Sequence, residues 1–90
     1  VADKRPVALI TGASRGIGRG IAEELARTHR LIATYRGRRD AAEELAAKTC
    51  ATIVPCDIGS REDRASLVDF AHQNFGAVDL LVNNAGMAPR

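Results

Sequence analysis

Aromatic side chains are scarce in this 90-residue chain: tryptophan is absent, and Tyr35, Phe70 and Phe75 are the whole complement. A surface that stacks on bases needs aromatics among its cations, and a net charge of +2 adds little electrostatic pull. Nucleic acid is therefore not an expected partner. Cysteine is equally sparse. Cys50 and Cys56 lie six apart with an apparent strand between them and no Cys or His at ligand spacing. Neither a disulfide nor a metal site is expected, and both read as small apolar fillers. No apolar run, the longest being 7–10 and 80–82, approaches the ~18 to 20 residues that span a bilayer. The opening Val1-Ala2-Asp3-Lys4-Arg5-Pro6 lacks the apolar stretch of a secretory signal. These absences point to a cytoplasmic protein with no membrane partner.

The chain is also short. Ninety residues exclude two independent domains, since one domain usually takes ~100 to 200. A chain this size buries only about 65% of the surface it exposes when unfolded, which leaves little stability in reserve.

What is present is the composition of a core-forming protein, with 46% apolar and 27% charged residues. Val7-Ala8-Leu9-Ile10 is a continuous apolar run closed by Thr11-Gly12, as expected of a strand buried on both faces. Ile17, Ile21 and Leu25 then recur at helical spacing. A second run, Leu31 to Tyr35, ends in the basic loop Arg36-Gly37-Arg38-Arg39. The next helix is expected from Asp40 as N-cap with Glu43 three residues on, with Ala42, Leu45 and Ala46 inward and Glu44 paired to Lys48. Thr52-Ile53-Val54 reads as the third strand. Ser60-Arg61-Glu62-Asp63 opens a third helix as a weak capping box, with Leu67, Val68, Ala71 and Phe75 as its buried stripe and Gly76 as its stop. Val78 to Asn83 is the fourth strand. Strands alternating with helices through short connections predict parallel pairing by right-handed crossovers. The fold class is α/β: half of a doubly wound parallel sheet, strand order 3-2-1-4.

The first strand-to-helix turn reads Thr11-Gly12-Ala13-Ser14-Arg15-Gly16-Ile17-Gly18. Glycines at such a turn permit positive φ, bring amides near an anion and let the helix pack close to the strand. The helix adds its positive N-terminal dipole and unpaired N–H groups, so a pyrophosphate is the natural occupant. The spacing is G-x-x-x-G-x-G rather than the general G-x-G-x-x-G. Twenty residues past Gly16, at the end of the second strand, stands Arg36. An acid there holds the ribose 2'-hydroxyl of NAD, whereas an arginine accommodates the 2'-phosphate of NADP. Arg15, and Arg36 with Arg38 or Arg39 behind it, are placed to converge on that phosphate. A merely solvated loop is the alternative for Arg38 and Arg39.

Asp57-Ile58 follows the third strand at its carboxyl end, where ligands of open α/β sheets gather. There a carboxylate accepts from an adenine amino group, or equally serves as a turn aspartate. Asn83-Asn84-Ala85-Gly86 closes the fourth strand. The asparagines suit tying the loop to neighbouring strands, and Ala85-Gly86 permits close approach of a flat ring, although a simple turn would look the same.

Taken together, these segments resemble the short-chain dehydrogenase/reductase family. Thr11 to Gly18 is similar to its T-G-x-x-x-G-x-G cofactor motif, Asp57 to its adenine-ring aspartate, and Asn83 to Gly86 to its N-N-A-G motif. The resemblance is greatest to NADP(H)-preferring members, notably 3-oxoacyl-(acyl-carrier-protein) reductases. It implies hydride transfer between NADP(H) and a carbonyl or alcohol, with a 3-oxoacyl thioester among the candidate substrates. It further implies dinucleotide contacts from Ser14, Arg15, Ile17, Asp57, Ile58 and Asn84. With Gly12, Gly16, Gly18, Arg36, Ala85 and Gly86, these complete the candidate cofactor-binding set.

Two departures qualify the resemblance. His29 stands where the family usually has the glycine that ends the first helix, and is expected to supply helix-end polarity, with His72 solvated. The family's Tyr-x-x-x-Lys pair, its preceding Ser and its relay Asn have no counterpart: Tyr35 is followed four residues on by Arg39. Tyr35 reads instead as a packing or adenine-side residue. The fourth strand, apolar as an interior strand, would be an edge in the order 3-2-1-4. The expectation is a partial NADP-binding domain over 1–90, with the catalytic and substrate-binding half absent. Alone it would be inactive, and its full-length parent would be a homo-oligomer. A non-catalytic nucleotide- or partner-binding module that adds a strand at the open edge is the alternative.

Overall fold

Every apolar run of the sequence becomes a parallel strand, and a helix joins each strand to the next. In the computed structural model, residues 4–13 and 16–84 are described. The elements are β1 (Val7–Thr11), α1 (Gly16–Leu25), β2 (Arg30–Tyr35), α2 (Arg39–Thr49), β3 (Thr52–Pro55), α3 (Arg61–Phe75) and β4 (Leu80–Asn83). The sheet order is β3-β2-β1-β4, all pairs parallel, with Leu9 opposite both Ile32 and Leu81. The expected half of a doubly wound sheet is the fold observed.

Burial explains why the central runs do not alternate. Ala8 and Ile10 of β1, with Leu31 and Ala33 of β2, pack against Ala22 of α1 and Leu45 of α2. Val7, Leu9 and Ile32 face the other way, onto Leu67 and Ala71 of α3. Both sides of β1 and β2 are thus covered, so positions 7–10 and 31–33 are apolar without alternation. At the outer edge, Asp79 clamps the approach to β4: its carboxylate accepts from the Val7 N–H at 2.8 Å, and its own N–H donates to the Val7 carbonyl at 2.9 Å.

Several local expectations are corrected. Helix α2 starts at Arg39 with Arg38 in the cap position and no side-chain cap, so Asp40 sits in the first turn rather than at the N-cap. There the Ala41 backbone and the Arg38 guanidinium hold the Asp40 carboxyl below its ordinary range. Glu43 pairs with Arg39 at 3.0 Å instead of closing a box. Glu44 and Lys48 do not pair with each other. Glu44 reaches Arg19 at 2.6 Å and Lys48 reaches Glu23 at 3.4 Å, because α2 lies beside α1 and opposite charges across the gap compete successfully with the i,i+4 partner.

Helix α3 keeps its Ser60 cap, whose Oγ accepts from the Asp63 N–H at 3.2 Å. The reciprocal half of the box is diverted, since the Asp63 carboxylate accepts from the Asp57 N–H at 2.8 Å. Gly76 ends the helix at φ 83°. Val68, expected in the buried stripe, is 63% exposed, because α3 overhangs the uncovered edge where Leu81 is 60% exposed. Strand β4 begins at Leu80, two residues later than the expected start at Val78. Cys50 is not an apolar filler: it is exposed and caps α2 in the left-handed conformation at φ 61°. Buried Cys56 does fill the core, and both thiols are free. Among the described residues, no helix is long and apolar enough to cross a membrane.

Candidate cofactor-binding site

The carboxyl ends of the four strands lie along one rim of the sheet, with Thr11 level with Asn83 and Tyr35 level with Pro55. The turn after β1 opens with Gly12 at φ 66°, and α1 begins with Gly16 at φ 64°, both in the region an L side chain rarely adopts. At the far side of the turn, the first N–H groups of α1, from Gly16, Ile17 and Gly18, have no partner within the helix. They lie at the positive end of its dipole. No acid occupies that first turn, so nothing internal to it competes for an anion.

Neighbouring strands hold the turn from both sides. The Gly12 N–H donates to the Thr34 hydroxyl at 3.2 Å, and the Ala13 N–H to the Thr34 carbonyl at 3.1 Å. From the opposite side, Asn84 Nδ2 donates to the Gly12 carbonyl at 3.0 Å. Gly12 therefore contributes the bend, while its N–H is already engaged. Asn83 completes the tie by accepting from the Thr11 hydroxyl at 3.2 Å. Gly18 lies beneath this knot. A Cβ there would collide with Asn84 Nδ2 and the Gly12 carbonyl, so only glycine lets α1 approach so closely. Gly18 is thus a close-packing position between α1 and the turn.

At the neighbouring strand ends, Arg36 and Asp57 come together, with Arg36 Nη1 3.6 Å from Asp57 Oδ1 and the arginine 78% exposed. Asp57 Oδ1 also accepts from the Gly59 N–H at 2.9 Å, the geometry of a turn aspartate. Ile58 is half buried against the α3 side of the core, and its carbonyl accepts from Arg64 Nη1 at 2.6 Å. Arg38 and Arg39 are exposed and paired to Asp40 and Glu43. Tyr35 is buried at 6% exposure, as a packing residue. Ile17 is exposed at the start of α1. Ser14, Arg15, Ala85 and Gly86 lie outside the described residues. The group that sequence reasoning missed is the hydroxyl of Thr34, a residue 1% exposed beside the apolar run Leu31 to Ala33 of β2. The usable signal was that a buried hydroxyl requires a partner, and the nearest loop supplies it.

The family model described as short chain dehydrogenase matches residues 6–90. The 3-oxoacyl-(acyl-carrier-protein) reductase FabG of Buchnera aphidicola subsp. Baizongia pistaciae is 36% identical over 88 residues, covering 92% of this chain and 35% of that protein. The chain thus spans about a third of the length of such relatives. Among solved structures, menthone neomenthol reductase from Mentha piperita superposes with TM-score 0.80 at 30% identity, covering 91% of this chain and 32% of the other. A structure described as ribose-5-phosphate isomerase from Brucella melitensis 16M gives TM-score 0.82 at 30% identity, with coverage of 90% and 31%. The names differ while the architecture is shared, so the site's chemistry has to be argued from its own residues.

Proposed function

The chain belongs to the short-chain dehydrogenase family, and from that premise we propose that residues 1–90 form the NADP(H)-binding part of an oxidoreductase acting on a carbonyl or alcohol. The carrying observation is the knot of Gly12, Gly18, Thr34 and Asn84, which presents the amino end of α1 to an anion with a backbone where side chains would intrude. The residues fit a dinucleotide. The α1 amides would receive the diphosphate, joined by Ser14 and Arg15, and Arg36 would meet the 2'-phosphate. Asp57 and the Ile58 backbone would border the adenine, with Asn84, Ala85 and Gly86 beside the ribose at the fourth strand end.

When bound, NADP(H) supplies or accepts the hydride. This chain's own part is to bind and orient it. The proton-transferring groups are proposed to lie outside these 90 residues, since Tyr35, the single tyrosine, is buried in packing at the end of β2 and is followed four residues on by Arg39 rather than a lysine. A 3-oxoacyl thioester is the proposed substrate class, on the strength of the reductase relative.

Calorimetric titration tests the reading. NADPH should bind the chain about tenfold more tightly than NADH, the equivalent of one charge-assisted bond, and NADPH with acetoacetyl thioester should not be turned over above the buffer rate. Equal affinities would remove the NADP assignment. Measurable turnover would show that the chain holds its own proton donor.

A further inference from the structure

We infer that Thr34 is a positioning residue for diphosphate binding: from β2 it fixes the orientation of the glycine turn, and through that turn the anion-facing start of α1. The inference rests on the reading that this turn receives a diphosphate, and it extends that reading to a residue outside the glycine motif. Thr34 is 1% exposed, and both of its acceptor oxygens engage the turn, the hydroxyl taking the Gly12 N–H and the carbonyl the Ala13 N–H. With these two donors taken, the two peptide planes that flank the Gly12 Cα are held with their N–H groups toward β2.

The arrangement has a directional consequence. An anion-binding turn works when some N–H groups face the anion and others are held away from it. Thr34 does the holding on the β2 side, and Asn84 draws the Gly12 carbonyl to the β4 side at 3.0 Å. Without the Thr34 hydroxyl, the partly buried Gly12 N–H would be left without its acceptor. The Thr11–Gly12 peptide unit would then gain by rotating to find another partner, and the bend at Gly12 would lose the orientation that the Thr34 hydroxyl sets. The main-chain bond from Ala13 persists in any variant, so the side chain alone is tested by Thr34→Val, which keeps the shape and removes the acceptor. Thr34→Ser keeps the acceptor.

The experiment compares ADP with adenosine, two ligands that differ in the diphosphate alone, binding to the 90-residue chain. Thr34→Val should weaken ADP about fivefold, the loss of one net hydrogen bond of about 1 kcal/mol, and leave adenosine unchanged, while Thr34→Ser should restore ADP to within twofold. A general loss of structure would weaken both ligands together, and that result, like unchanged ADP affinity in Thr34→Val, overturns the inference while leaving the diphosphate reading intact. Unsubstituted chain that binds ADP no better than adenosine overturns both. Should Thr34→Val not fold, amide exchange in the unsubstituted chain decides. If release of the clamp and ADP binding exclude each other, ADP at ten times its Kd should slow exchange at Gly12 about tenfold, and adenosine should not. Exchange indifferent to ADP contradicts the role.

Discussion

Replacing Arg36 by alanine isolates the choice between cofactors. Its guanidinium lies 3.6 Å from the Asp57 carboxylate, with the arginine 78% exposed. A pair so open to water contributes about 0 to 1 kcal/mol. A 2'-phosphate offers more: a charge-assisted bond of about 1.5 to 3 kcal/mol. Since the arginine gives up one partner for the other, the net gain on binding is about 0.5 to 3 kcal/mol, or roughly 2- to 150-fold in affinity and centred near tenfold. Arg36→Ala should therefore weaken NADPH by that factor and leave NADH within twofold. Arg36→Asp should go further, because it sets a second carboxylate beside Asp57. Paired calorimetric titrations at low and moderate salt give the ratio directly, and the difference should narrow as salt screens the exposed charge. If NADPH and NADH weaken equally, Arg36 acts on a part common to both. If neither changes, it does not take part.

Three further outcomes follow from the geometry. Gly18→Ala should destabilise the chain by about 1 to 3 kcal/mol, because the new methyl group meets Asn84 Nδ2 and a main-chain carbonyl. A urea midpoint equal to that of the unsubstituted chain would contradict the packing. For pH, burial, followed by the Asp63 and Asp57 carboxylates, pushes the Cys56 thiol up. The fold favours the neutral thiol, so the contribution is intact below the unfolded thiol value of about 8.5 and is lost as pH rises through the higher folded value. Stability measured from pH 7 upward should fall in alkali, and Cys56→Ala should flatten that fall. Exposed Cys50 should be alkylated well before Cys56, and the reverse order would refute the burial assigned to each.

The sheet was legible because its central strands are buried on both faces, which writes uninterrupted apolar runs such as Val7 to Ile10 and Leu31 to Ala33 into the sequence. Caps that act within three residues were legible too, as at Ser60. What escaped was tertiary. Glu44 and Lys48 look like partners four apart on one helix, yet each finds its opposite charge on α1, a contact that spacing along one helix cannot reveal. Val68 carries the periodicity of a core residue, and its exposure follows from what lies beside β4. The glycines of the turn announced where it bends, and Asn83 and Asn84 announced a tie. Only the folded chain shows that the Gly12 N–H points inward to Thr34, or that Arg36 and Asp57 meet.

The central claim is that the amino end of α1 receives the diphosphate and Arg36 the phosphorylated ribose. Following backbone amide resonances of the isotope-labelled chain during an NADPH titration tests it most directly. The account predicts the largest changes at Gly16, Ile17 and Gly18, with a second group at Arg36 and around Asp57, and little along the groove of about 460 Å³ between α3 and β4 lined by Val68, His72 and Leu81. Changes concentrated in that groove, with the α1 amides unmoved, would contradict it.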